Sequence, residues 1–362
     1  MSARGGVHLF MDRDINQPRI YGDFLNSFQE LQGFISKGTA PSASNTLVRI
    51  FGTPAKAVSA LGSANIVQGN VATVANTLDR SNFSKYTAAG VSPFYLRNFP
   101  QFNQVIYGSN DGRNYYDSLQ VSLRRNTGSL HTALNYTFGK SIDNISVDGN
   151  GYTSPIDSYN LRLNRALGDF DHRHSFNATV SYTLPFGKGK RFGGDMPGWL
   201  NTLVGGWDVG SLVIVQDGVP FTVGSTRFTN GNTSAATFSN YSGDRAKAGS
   251  VRKQGNGVFY FTPAEIANFS FPAAGEIGNS GRNAFRGPTY FNVDSSLVKR
   301  FAITEKQALT FRAEAYNTFN HVNFTTPSVS LTSPTTFGKF SSDVGGQGVG
   351  SRNLQLALRY DF

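Results

Sequence analysis

Two short stretches hold the residue types that could do chemistry. Asp171-His172-Arg173-His174 places two histidines at i and i+2, and on a strand those positions share a face. A metal site needs further ligands, and His8, His131 and His321 are remote in sequence, so no metal is expected. The cluster reads instead as the extracellular start of a strand. Asp143-Asn144 and Asp148-Gly149-Asn150-Gly151 gather oxygen ligands of the kind calcium takes. The spacing of an EF-hand loop is absent, and these residue types are common in plain turns, which is the preferred reading. No Gly-x-Ser-x-Gly, phosphate loop or His-Glu-x-x-His occurs. No catalytic, cofactor-binding or metal-binding residues emerge, and the chain is not expected to be an enzyme.

The remaining chemistry is charge. Asp294, Arg312, Glu314 and Arg359 sit on the polar sides of alternating segments. If those segments are barrel strands, all four project toward the lumen and are expected to pair across neighbouring strands, because buried charges need partners. Net charge is +10, but the basic residues are scattered, at Arg124-Arg125, Arg162 and Arg165, Lys188-Gly189-Lys190-Arg191, Arg252-Lys253 and Lys299-Arg300. No helix carries a basic stripe and no RNA-recognition motif is present, so nucleic acid is not an expected partner.

The elements that must position these residues are strands. Leu354, Leu356, Leu358, Tyr360 and Phe362 alternate with Gln355, Ala357, Arg359 and Asp361. Apolar-out, polar-in alternation over roughly ten residues is the signature of an outer-membrane β-barrel strand, and an aromatic end suits the membrane interface. The same period runs through 118–124, 130–138, 175–184, 291–297 and 309–315, with weaker cases at 6–11 and 102–108. Segment 207–216 is apolar on both faces. Composition agrees: 30 Phe and 15 Tyr, 15% charged residues and no cysteine. No apolar run is long enough for a membrane helix.

Connection lengths give an independent test. Starting from a periplasmic Phe362 and alternating backward, 320–351, 217–289 and 142–170 fall outside, while 302–305, 185–202 and 127–128 fall inside. Every outside connection is the longer kind, as outer-membrane barrels require. The first ninety residues differ. Helical spacing appears at 23–36 (Phe24, Leu25, Phe28, Leu31), and 55–79 is helix-compatible with Gly62 and Gly69 interrupting it. This is expected to be a partly helical extracellular excursion within residues 1–100, with 101–362 supplying strands and loops. The start of the chain has no signal-peptide pattern, which points to a fragment or a split reading frame.

The residues then meet a family. Tyr115-Tyr116-Asp117-Ser118-Leu119-Gln120-Val121, Leu134-Asn135-Tyr136-Thr137-Phe138-Gly139-Lys140-Ser141-Ile142-Asp143 and Gly168-Asp169-Phe170-Asp171-His172-Arg173-His174 follow one another in order. So do Gly205-Gly206-Trp207, Gln216-Asp217-Gly218-Val219-Pro220-Phe221-Thr222 and Phe311-Arg312-Ala313-Glu314-Ala315-Tyr316-Asn317-Thr318-Phe319-Asn320-His321, with Asp14-Ile15-Asn16-Gln17 near the start. The set resembles Oar-like TonB-dependent transporters across essentially the whole chain.

The resemblance implies an all-β, antiparallel transmembrane barrel, here its C-terminal part, with about nine recognisable strands of the ~22 in barrels of that class. It implies uptake of a bulky nutrient of unknown identity across the cell outer membrane of a Gram-negative-type bacterium. The partners it implies are outer-membrane lipid, the barrel-assembly machinery and, only through N-terminal parts, the TonB complex. Leu354, Leu356, Leu358, Tyr360 and Phe362 form the strand expected to direct assembly. The alternatives are a surface-exposed structural or adhesion barrel, or a truncated remnant without transport. A soluble β-sandwich, its apolar faces packed on a second sheet, is a further alternative.

Overall fold

The computed structural model describes residues 2–146, 154–344 and 350–362. Eight long strands form one antiparallel sheet: β1 (Ser2–Asp14), β2 (Ile106–Thr127), β3 (Leu130–Asp143), β4 (His174–Thr183), β5 (Trp207–Gln216), β6 (Tyr290–Ala302), β7 (Ala308–Tyr316) and β8 (Asn353–Asp361). Each pairs with its sequence neighbour, so the sheet is a simple meander, and Ala166–Leu167 adds a short ninth strand beside the end of β3. β1 and β8 stand at the two edges and are not paired with each other.

Register shows why alternation was informative. Leu123 faces Leu134, which faces Ala178, which faces Val213, which faces Val293. Further along, Leu297 faces Ala313, which faces Leu356. Directly paired residues share a face, so one side of the sheet is apolar from β2 to β8. Its opposite side carries Gln120, Thr137, Ser175, Asn292, Glu314 and Gln355. The two-faced segment β5 is settled by its partners. Trp207, Val209, Val213 and Val215 join the apolar side, while Leu212 and Ile214 interrupt the polar one.

One strand expectation is corrected. The weak candidate 102–108 is not a separate strand: 102–105 lie outside the sheet, and 106–108 are the first residues of β2, which runs unbroken from Ile106 to Thr127. Gly108-Ser109-Asn110-Asp111-Gly112 has turn composition, yet it is held extended by pairing with β1 across a register shift between Leu9 and Met11. A side chain at Gly112 would meet the Leu9 carbonyl at 2.5 Å. With eight long strands rather than nine, the excursion after β1 falls at the same sheet end as the other long connections.

That excursion is helical: α1 (Asp23–Lys37), α2 (Thr46–Phe51), α3 (Pro54–Leu61), α4 (Ser63–Val67), α5 (Val71–Ser81) and α6 (Lys85–Ala88). Gly62 (φ 85°) and Gly69 (φ 75°) take left-handed backbone where α3 and α4 end, which divides the Ala/Val-rich stretch into separate helices. Asn45 and Thr53 cap α2 and α3 by accepting from Val48 N–H and Lys56 N–H. Phe24, Phe28 and Leu31 on one face of α1 bury against Leu47, Leu61, Val74 and Leu78. Each such side chain contributes roughly 2 kcal/mol of burial.

The chain enters and leaves this head at one place. Ile15 N–H donates to Val105 O (3.0 Å) and Arg19 N–H to Leu96 O (2.7 Å). Buried Asn16 closes the seam, bonding Phe99 N–H and the carbonyls of Phe99 and Phe102.

A second core lies in the connections after β5 and β7. Phe221, Tyr260, Phe261, Phe269, Phe285 and Phe337 pack there, mostly edge to face. The head and the 217–289 connection interlock through Ala72 N–H to Phe228 O (3.1 Å) and Phe228 N–H to Asn70 Oδ1 (3.1 Å). The long connections therefore build a folded cap over one end of the sheet, and the other end has the short β2–β3 and β6–β7 turns and the 184–206 connection.

Candidate functional site

The C-terminal strand presents its apolar residues outward. Leu354, Leu356, Leu358, Tyr360 and Phe362 are all exposed, Leu356 at 73% and Phe362 at 93%. Leu309 faces Tyr360 and Phe311 faces Leu358, so the row continues the apolar side of the sheet. Aromatic rings collect near its turn end. Tyr360 stacks on Phe362 (5.8 Å), and Trp207 meets Phe311 edge-on (6.2 Å). Lys299 lies on this apolar side too, its ammonium donating to Gly205 O beside the Trp207 and Phe301 rings. A long stem among rings with its charge drawn to a strand end is snorkelling.

Asp294, Arg312, Glu314 and Arg359 all fall on the polar side. The expected pairing across strands is corrected. Arg312 pairs with Glu314 (3.5 Å) and Arg359 with Asp361 (2.6 Å), each two residues along its own strand. Asp294 accepts from Asn292 Nδ2 (3.0 Å) and Asn317 N–H (2.8 Å) instead. Residues two apart on a strand share a face, and in an open sheet these long side chains reach along the wall as readily as across it. Both signs occur on this wall, with Arg124 and Arg300 set against Asp208 and Asp294.

Where the wall meets the cap, a strap of side chains ties two long connections together. Arg282 donates to Asp143 (2.6 Å) and Asp169 (2.9 Å), and also to Ser146 Oγ and Asn164 O. Asn283 donates to Asp169 (2.7 Å) and Leu167 O (2.7 Å), and Arg286 donates to Asp171 (2.6 Å) and Gly218 O (2.9 Å). Burial pushes the Asp169 carboxyl up, but the bonds from Asn283 and the Arg282 charge outweigh it and hold it below its ordinary value. Between strap and wall lies a cavity of about 440 Å³, lined by Asn114, Tyr116, Thr137 and Gln216 from the strands and Phe170 from the loop.

The sequence motifs weighed for metals are placed differently. Asp171 is engaged by Arg286, and His172 Nδ1 lies against Asp217 O. His172 precedes the strand that His174 opens, so the two do not share a strand face; His174 meets Tyr136 OH (2.6 Å). Asp143 is taken by Arg282, and Asn144 bonds Arg113 N–H and Asp111 O. Asp148-Gly149-Asn150-Gly151 lies outside the described residues. Among the described residues no group of three or more His, Asp or Glu is arranged to hold a metal. Sequence reading missed Arg282, Asn283 and Arg286 altogether.

A meander with one apolar side, aromatic rings at a strand end and long connections gathered over the opposite end is barrel-wall geometry. The model of one family, the outer membrane beta barrel domain, matches residues 3–355. The chain belongs to that family. No curated protein and no solved structure matches it. In this outer-membrane β-barrel protein the apolar side of the sheet is the lipid face and the polar side is the inner face. The hydrocarbon layer does not tolerate unpaired backbone groups, so in the bilayer the free edges of β1 and β8 need strand partners. Outer membranes belong to Gram-negative-type bacteria, which sets the compartment.

Proposed function

We propose that this barrel domain serves TonB-dependent uptake of a bulky nutrient, with the folded cap outside the cell and the short turns in the periplasm. The observation that carries the reading is the polar wall that runs from the cap along the strands from β2 to β8, interrupted on β5 by Leu212 and Ile214. A wall of amides, hydroxyls and mixed charges suits a hydrated passage. The ordered resemblance of its motifs to Oar-like transporters supports the energised class. Outer-membrane lipid and the barrel-assembly machinery are the partners of the strands, whereas TonB contact belongs, by that resemblance, to N-terminal parts. The domain acts without catalysis on this reading. A surface-adhesion barrel is the second reading, favoured by the two packed cores of the cap.

Orientation is tested by labelling. The chain has 0 cysteines, so Lys253→Cys in the cap and Lys306→Cys in the β6–β7 turn give clean single sites. A membrane-impermeant maleimide added to intact cells should label the first and leave the second until the envelope is opened; the reverse pattern would invert the topology. For transport, loss of this protein and loss of TonB should each abolish uptake of the same solute. Uptake that persists without TonB sinks the energised reading, and impaired attachment with normal uptake would favour adhesion.

A further inference from the structure

One cavity of the cap has a lining that departs from the charge balance of the chain. It is about 780 Å³ and lies between the end of the 15–22 segment, residues 157–163 and the 240–279 stretch. The protein carries 33 Lys and Arg against 23 Asp and Glu, yet among the described residues no lysine or arginine lines this space. Its polar groups include the carboxamides of Asn160, Asn240, Asn268 and Asn279 and the carboxylates of Asp157 and Glu276, beside serine and tyrosine hydroxyls.

Two of the amides are held in place by their oxygens. Asn240 Oδ1 accepts from Asn279 N–H (3.0 Å), and Asn279 Oδ1 accepts from Tyr241 N–H (2.7 Å). Each carboxamide is thus anchored through its oxygen, and both residues line the cavity. The carboxylates are partly engaged: Glu276 accepts from Ala273 N–H (3.0 Å) and Asp157 from Tyr159 N–H (2.8 Å). Tyr21 also lines the cavity and is 61% exposed.

We propose that this cavity binds a neutral oligosaccharide. Anionic ligands, including phosphorylated or carboxylated ones, meet two carboxylates, and the Arg245 guanidinium beside them is engaged by Asn279 O (2.6 Å). A sugar's adjacent hydroxyls each donate and accept, which matches carboxamides anchored through their oxygens and set among carboxylate and hydroxyl groups. The apolar face of a pyranose ring suits an exposed tyrosine. The pre-set geometry lowers the ordering cost of binding, which is what a weakly apolar ligand needs in competition with water. The site is separate from the polar wall, and its occupation does not depend on transport.

The test is calorimetric titration of the purified detergent-solubilised protein with maltohexaose, cellohexaose, xylohexaose, laminarihexaose and chitohexaose, with spermine and citrate as cationic and anionic probes. At least one neutral hexasaccharide should bind. Asn240→Asp and Asn279→Asp keep the oxygens that hold the backbone and remove the donors, and each should weaken binding at least about tenfold. Tyr21→Ala, at an exposed position, should do the same with unchanged thermal unfolding. No binding by any of the five at millimolar concentration overturns the proposal. So does binding of spermine or citrate alone, or affinity that the three variants leave intact. Binding that persists in a protein shown not to transport would sink the uptake reading and keep this one.

Discussion

Arg282 shows how much of the cap rests on single side chains. Its guanidinium is nearly buried, and Asp143 beside it is more so. Removing one partner of such a pair leaves an uncompensated buried charge, at a cost of about 3–5 kcal/mol. Arg282→Ala should therefore raise hydrogen exchange across 217–289 and 154–171 while leaving the strands protected. The strap should also respond to acid. Asp169 is held below its ordinary value, so its contribution is full above the unfolded value of about 3.9 and is lost as pH falls through the lower folded one. Exchange corrected for its intrinsic pH dependence should rise in the same segments below about pH 4. Unchanged exchange in the variant would show that the strap does not hold the cap. None of these contacts could be read in the chain: Arg282 meets Asp143 across 139 positions and Asp169 across 113, and nothing local marks an arginine as buried.

At the level of elements, legibility followed the solvent on each face. Strands with lipid on one side and polar groups on the other, such as β4 and β8, announce themselves by period two. β5 does not, because Leu212 and Ile214 place apolar side chains on the polar wall, and only pairing with β4 and β6 orients it. The first part of β2 was hidden for the opposite reason. Its Gly, Asn and Asp residues have turn composition, and pairing with β1 overrides that local preference. The helical head was legible where apolar spacing and glycine stops coincide.

The two faces of β8 make opposite predictions. Leu356→Arg puts a charge on the lipid face and should cost about 2–4 kcal/mol if it lies near the bilayer midplane. Ala357→Arg, one position along on the polar side, should be tolerated. Folding into lipid vesicles, followed by heat-modifiable mobility, separates them; equal behaviour would mean that the faces are wrongly assigned. Phe362→Ser should impair assembly in the same assay.

Across the whole molecule, the asymmetry of connection lengths was the feature that sequence carried best, since it needs only strand positions and not side-chain contacts. The cap's internal order was not accessible that way. Its two cores are built from residues far apart in sequence, such as Phe221 with Phe285 (5.9 Å) and Leu25 against Gly275.

The seam at Asn16 has a consequence for how such a molecule can change. Since Ile15 and Val105 are already hydrogen-bonded neighbours, the head begins and ends on adjacent rungs of the β1–β2 ladder. Replacing 17–103 with a short glycine-serine turn should leave a plain hairpin, and the shortened protein should still assemble with heat-modifiable mobility; failure to assemble would show that the wall depends on the head. The head is in that sense a cassette. Recombination could exchange it for another, replacing one end of the molecule while every strand keeps its place in the lipid.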